Sequence, residues 1–144
     1  MDDAHFRKLE RMYLSAPINR LFHPELRIES GRAELRIPIR PELFHAAHAA
    51  HGAVYFKAAD DSAYFAVSSL VEEFFVLTTQ LDLHLLRPIS EGVLVARAEV
   101  VHRGKGSFLA EAVLTDGQGR QVGRATGTFV RGRTRLGEEI GYRL

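Results

Sequence analysis

His51-Gly52-Ala53-Val54-Tyr55-Phe56-Lys57-Ala58-Ala59-Asp60-Asp61 opens a long apolar segment that holds two adjacent acids. A carboxylate in a mostly apolar helix costs free energy unless it is paired, hydrogen-bonded or lining a site. The His-Gly pair stands nine residues before Asp60. A flexible backbone therefore begins the helix, and the acid follows about two and a half turns later. Residues 52–70 are apolar almost all round, which predicts a buried helix rather than a surface one.

On either side of this segment the pattern changes. Phe6, Leu9, Met12 and Tyr13 are spaced as one face of a short amphipathic helix over residues 3–14, which Ala16-Pro17 ends. Residues 21–25, with Pro24, read as a turn. Residues 32–39 alternate charged and apolar side chains as a half-buried strand does, with Pro38 marking an end or an edge. Beyond Glu73 the pattern is β throughout, with strands at Val76–Leu86, Val93–His102, Phe108–Thr115 and Gln121–Arg131. They are separated by Arg87-Pro88, Arg103-Gly104-Lys105-Gly106 and the hairpin signal Asp116-Gly117-Gln118-Gly119. Hairpin connections imply antiparallel neighbours. A sheet with one long helix to cover its inner face must curl around that helix, so the fold class is α+β.

The 144 residues are expected to form a single domain, 1–144, with enough chain to bury a real core. A net charge of +1 gives no electrostatic case for nucleic acid, and no run of 18 apolar residues exists to span a membrane. Cysteine is absent, which excludes disulfides, thiolate metal sites and a Cys nucleophile. That composition fits a cytoplasmic protein, as does an acidic start, Met1-Asp2-Asp3, without a signal-peptide apolar run.

The residues themselves suggest chemistry. Asp60 can serve as a general base or nucleophile. The helix start at Gly52-Ala53 offers free N–H groups and a dipole to developing negative charge, and glycine lets a substrate approach the backbone closely. Lys57 stands four residues before Asp61, the spacing of a helix ion pair, which gives Asp61 a structural role. His45, His48 and His51 recur every third residue. On a helix that spacing would suit a metal, but it is generic and no acidic or Cys ligand accompanies it, so no metal or other cofactor is expected. His51 reads instead as the group that caps or orients the helix start, and His84 as a surface or interface residue. The Arg103-Gly104-Lys105-Gly106 turn combines cations with free N–H groups, which suits phosphates and equally suits a plain solvated hairpin turn. Tyr64 and its aromatic neighbours read as core that can also line a ligand pocket beside Asp60.

Over residues 17–131 the chain resembles the hotdog-fold acyl-CoA thioesterases, specifically the phenylacetyl-CoA (PaaI-like) group. The resemblance is carried by His51-Gly52-Ala53 with Asp60 at the family spacing and by Leu83-His84-Leu85-Leu86-Arg87-Pro88. Glu91-Gly92, the Arg103-Gly104-Lys105 turn and the glycine-containing last strand add to it. It implies a curved antiparallel sheet wrapped around one long helix, and hydrolysis of an acyl-CoA. Asp60 would be base or nucleophile, the backbone N–H beside His51-Gly52 would polarise the thioester carbonyl, and Thr78 on the following strand would assist. It further implies a site built across a homodimer, alone or in a dimer of dimers, with Arg103 to Gly106 available to CoA phosphates. Two positions depart from the pattern. Ala53 replaces the second glycine of His-Gly-Gly, and His45 stands where an asparagine often positions the carbonyl or the water. Other readings on the same fold are a hydratase or dehydratase, whose His-acid patterns are not found here, and a non-catalytic acyl-CoA binder.

Overall fold

In the computed structural model, which describes residues 3–144, one helix lies in the hollow of a single six-stranded antiparallel sheet. This is the hotdog arrangement. The strands are β1 (Glu25–Glu29), β2 (Arg32–Pro38), β3 (Phe74–Leu85), β4 (Val93–Arg103), β5 (Phe108–Thr115) and β6 (Gln121–Arg135), in the spatial order β1-β2-β4-β5-β6-β3. Helix α1 spans Asp3–Ser15, the short α2 spans Asn19–Phe22, and the central α3 spans Gly52–Ser68. Single 3₁₀ turns occupy Pro41–Leu43 and Glu138–Ile140. Among the described residues no helix is long and apolar enough to cross a membrane.

Helix α3 forms because its sequence is rich in alanine, lacks proline and is capped by His51. The imidazole Nδ1 accepts the Ala53 N–H at 2.9 Å, which fixes the ring proton on Nε2 in the neutral side chain. Four small residues, Ala58, Ala59, Ala63 and Ala66, are at most 1% exposed and let the helix lie close against the sheet. The sheet meets it with Leu35, Ile37, Leu94, Ala110, Leu114 and Phe129, all fully buried. Burial in β5 alternates residue by residue, as one covered face and one wetter face require.

The structure extends the sequence reading in two places. Residues 25–29 form β1, a strand of only five residues, and β6 continues to Arg135. β1 pairs with β2 across the tight Ser30-Gly31 turn, and the end of β6 pairs with the start of β3, which is far away in sequence.

The two edges of the sheet are treated differently. On β1, α1 side chains occupy the backbone of Ile28. Its N–H donates to Glu10 Oε2 at 2.7 Å, and its carbonyl accepts from Arg7 Nη2 at 2.7 Å. Arg7 and Glu10 also pair with each other. On β3, twelve residues long, only Val76 is buried, and Leu77 and Leu85 are about half exposed. An exposed strand edge of this length is a template for pairing with another chain.

Candidate functional site

Asp60 and Asp61 are adjacent in sequence and opposite in circumstance. Asp61 Oδ2 accepts the Tyr13 hydroxyl at 2.5 Å and pairs with Lys57 Nζ at 2.8 Å. The Lys57 ammonium also lies 5.2 Å from the centre of the Tyr13 ring and 4.9 Å from that of Phe22. Asp61 is thus part of a satisfied structural cluster joining α1 to α3. The i, i+4 ion pair read from the sequence is present.

Asp60 has one hydrogen-bond partner among the described residues. Thr78 Oγ1 donates to its Oδ1 at 2.8 Å, across eighteen residues of sequence, from β3 to α3. Burial pushes the Asp60 carboxyl above the usual carboxylate range. The Thr78 hydrogen bond and Lys57 oppose this, and the neighbouring charge of Asp61 adds to it. A carboxyl held up by desolvation is a stronger base once ionised, which suits proton abstraction near neutral pH.

Both acids line a cavity of about 720 Å³ between α1, α3, the first residues of β3 and the C-terminal turn. Its walls are mainly apolar, with Phe65, Phe75 and Val76 on one side and Met12, Ala16 and Ile18 on the other. Tyr64, one turn beyond Asp60 on α3, also lines it. The Tyr64 ring packs against Phe65 at 4.9 Å and Phe75 at 5.5 Å, and burial raises its hydroxyl far above the ordinary tyrosine value. The hydroxyl is buried near the Val76 backbone and the Ser68 side chain but completes no hydrogen bond there.

The start of α3 lies elsewhere. Gly52, His45 and Tyr55 share a smaller cavity, about 290 Å³, with Leu85, Arg87 and Pro88 at the far end of β3. The Ala53 N–H is held by His51, and the Val54 N–H by the His51 carbonyl, so among the described residues the Gly52 N–H is the one of these three without a partner. The His45 ring accepts the Ala47 N–H through Nδ1 at 3.0 Å and is exposed. Residues 45–51 form a turn closed by the Phe44–Ala50 bridge, and His48 has a left-handed φ of 65°. With no helix there, the three-residue spacing of His45, His48 and His51 does not bring the imidazoles to one face.

Eight residues of helix separate Gly52 from Asp60, roughly 12 Å at 1.5 Å per residue. The Gly52 N–H and the Asp60 carboxylate of one chain therefore lie too far apart to touch one small group.

The Arg103 to Gly106 turn is exposed, with the Gly104 N–H closing it onto the Ser107 carbonyl. Register places Thr78, Phe129, Phe108 and Arg103 in one row across four strands, so Arg103 is roughly 14 Å from Thr78 at 4.8 Å per strand. The overhanging end of β6 adds Arg131, Arg133 and Arg135, all exposed and, among the described residues, without a carboxylate partner. Arg131 stacks 5.0 Å over Phe108, which faces Arg103 in the register. The sequence reading stopped the last strand at Arg131 and did not gather these arginines, although their alternation was visible. It had no local signal for Tyr13, whose contact with Asp61 spans 48 residues.

Comparison with known proteins agrees with this architecture. The Escherichia coli PaaI protein, from the phenylacetic acid degradation operon, superposes with a TM-score of 0.82 at 19% identity, over 92% of this chain and 96% of that one. A thioesterase family protein from Silicibacter pomeroyi gives a TM-score of 0.78 at 25% identity, over 88% and 98%. A Saccharolobus solfataricus protein, named provisionally as an esterase, is 27% identical over 104 residues, 72% of this chain and 69% of that protein. The family model for the thioesterase superfamily matches residues 48–123, from the turn before α3 into the first residues of β6. Sequence match and fold together place this chain in the thioesterase superfamily.

Proposed function

We propose that the protein hydrolyses acyl-CoA thioesters at a site shared by two copies of the chain. The observation that carries this reading is the contrast between the two acids. Asp61 is neutralised by Lys57 and Tyr13, while Asp60 beside it faces an apolar cavity with a single hydroxyl partner. Membership in the thioesterase superfamily supports thioester hydrolysis as the reaction type.

In this reading Asp60 of one chain acts on the thioester, with Thr78 fixing its orientation. As a base it removes a proton from water, and the hydroxide oxygen bonds to the carbonyl carbon. The tetrahedral oxyanion lies at the free Gly52 N–H of the partner's α3, where the helix dipole favours negative charge. His51 supports that donor by capping the helix start, and His45 and Ala53 stand beside it. Collapse breaks the C–S bond, and the thiolate leaves as CoA after taking up a proton. As a nucleophile, Asp60 would instead bond to the carbonyl carbon and expel the CoA thiolate, giving a mixed anhydride that water then cleaves to the free acid and the carboxylate. One turnover in oxygen-labelled water separates these routes: label in the enzyme's own carboxylate marks the anhydride. The CoA phosphates fall to Arg103, Lys105 and the neighbouring Arg131, with Gly104 and Gly106 keeping the turn open.

The shared site requires a homodimer, formed through the bare edge of β3 and either alone or paired again into a tetramer. The deciding experiment screens thiol release from short, long and aryl acyl-CoAs with the wild type and Asp60→Asn, alongside sedimentation analysis. Turnover lost in Asp60→Asn with a dimeric protein supports the proposal. A monomer that turns over normally, or a wild type that binds acyl-CoA without cleaving it, overturns it.

A further inference from the structure

Lys57 stands beside two carboxylates and serves one of them. Asp60 lies three residues further along α3 and Asp61 four, and both spacings put side chains next to each other on a helix. The lysine and both acids line the same cavity. The ammonium nevertheless pairs with Asp61 Oδ2 at 2.8 Å, and the hydrogen bond that Asp60 receives comes from the Thr78 hydroxyl.

The choice is imposed from outside the helix. The Tyr13 hydroxyl donates to the same Asp61 oxygen, at 2.5 Å, and ties that carboxylate to α1. The Tyr13 and Phe22 rings flank the ammonium at 5.2 and 4.9 Å, distances at which a π face attracts a cation. Both rings are buried, and the lysine side chain is only 11% exposed. Burial and the charge of Asp61 push the Tyr13 phenol far above its ordinary value, so it stays a donor at any working pH. Among the described residues, no other group around Asp60 brings it a cation. Tyr64 on α3 is kept protonated by burial, and residues 75–78 of β3 carry no ionisable side chain. Arg131 of β6, beside Val76 in the register, is stacked on Phe108. Glu139 of the C-terminal turn is exposed and anionic.

Resting on the hydrolytic reading above, we propose that Tyr13, Phe22 and Asp61 are positioning residues: they hold the Lys57 ammonium off Asp60 and so keep Asp60 free to act as a base. An ammonium seated on Asp60 would occupy an oxygen that must take a proton from water. It would also weaken the base, since an opposite charge within about 4–6 Å lowers a carboxyl's pKa by about 1–3. Burial, and after it the charge of Asp61, hold the Asp60 carboxyl up, and that gain survives only while the cation is kept elsewhere. The second acid of the pair therefore acts on the first in two ways, by its own charge and by retaining Lys57.

The test compares the wild type, Asp61→Asn, Lys57→Met and the double variant. Carbon-13 NMR titration follows the aspartate carboxyls, with the Asp60 signal assigned by its loss in Asp60→Asn, and the pH profile of kcat/KM is measured for an acyl-CoA. Asp61→Asn frees the ammonium, so the Asp60 midpoint should fall by about one pH unit and carry the acid limb of the profile with it. Lys57→Met uncovers the Asp61 charge, and midpoint and limb should both rise. In the double variant the two charges leave together, and the midpoint should return close to the wild-type value. Equal midpoints in Asp61→Asn and the double variant overturn the proposal, because Lys57 then makes no move toward Asp60. Altered thermal stability with an unmoved midpoint, the mark of a purely structural cluster, also overturns it. Should Asp61→Asn fail to fold, Lys57→Met decides alone, and an unmoved or lowered midpoint there overturns the proposal. Midpoints that move as expected without turnover, or with an unmoved acid limb, overturn the hydrolytic role of Asp60 and leave the withheld ammonium standing.

Discussion

Replacing Asp60 with asparagine should remove activity and at the same time stabilise the fold, and the two effects come from the same feature. The carboxyl is desolvated, and its folded pKa lies above its unfolded value. The linkage sign follows. A group with a raised folded pKa stabilises fully below its unfolded pKa, and that contribution is lost as pH rises through the folded pKa. At neutral pH the ionised Asp60 therefore costs stability, by about 1.4 kcal/mol per unit of upward shift. Asparagine removes the charge and still offers Thr78 an acceptor oxygen at the position of Oδ1, so the 2.8 Å contact is retained. The variant is therefore expected to unfold at a higher Tm than the wild type at pH 7. The rate effect is larger: loss of a general base costs about 10²–10⁴-fold, roughly 3–5 kcal/mol of barrier at 1.36 kcal/mol per decade. Thiol release from an acyl-CoA and thermal unfolding at pH 7 and pH 4 measure both. The Tm advantage of the variant should shrink at the lower pH, where the wild-type carboxyl is protonated. Near-normal turnover would refute the catalytic assignment. A variant less stable than the wild type at pH 7 would refute the claim that burial outweighs the stabilising partners.

The neighbouring acid should behave in the opposite sense. Tyr13→Phe removes a charge-assisted hydrogen bond to Asp61, and a loss of about 1.5–3 kcal/mol is expected in urea unfolding; an unchanged midpoint would show that Lys57 alone satisfies Asp61. His51→Ala deletes the cap on Ala53 N–H and should cost about 0.5–2 kcal/mol in stability, with a fall in kcat larger than any change in KM; an unaltered kcat would separate the cap from catalysis. The pH profile of kcat/KM should rise through an apparent pKa above the usual carboxylate range, because Asp60 must be ionised to act; a profile flat from pH 4.5 upward would contradict that. Leu85→Lys on the exposed end of β3 should shift the protein toward monomer in sedimentation and reduce activity with it; an unchanged assembly would move the interface away from this edge.

Periodicity carried the frame of this protein well because the frame is built from local rules. The alternation in residues 32–38 and 108–115, and the apolar run from Gly52, each follow from one covered face or an all-round burial. Strand β1 escaped for a physical reason. Its five residues carry charges at alternate positions and are flanked by a turn, and they become a strand because β2 pairs on one side while Arg7 and Glu10 satisfy Ile28 on the other. The pairing with β2 is a local hairpin and the alternation was visible; what lay beyond local reach was the cover that α1 gives Ile28. The same holds at the site. Lys57 and Asp61 are four apart on one helix, so their pairing was legible, whereas Tyr13 reaches Asp61 only because α1 folds back over α3.

That difference separates the two acids. Asp60 and Asp61 are turned about 100° from each other on the helix. What distinguishes them is therefore what each direction meets, and that is settled by elements far away in sequence. One direction meets α1, which brings a phenol to a carboxylate already paired with an ammonium. The other meets β3 beside an edge that nothing in the chain covers, where a single threonine hydroxyl leaves the second carboxylate oxygen without a hydrogen bond from the described residues. Arg7 and Glu10 hold the backbone at the β1 edge of the sheet, while among the described residues no strand pairs with the outer edge of β3, so Asp60 and that open edge lie on the same side. In the reading proposed here, the twofold pairing that satisfies β3 also delivers the free Gly52 N–H of the partner across the roughly 12 Å that one helix cannot span. Assembly and catalysis should then fail together when β3 is disrupted, while disruption of β1 should cost stability alone.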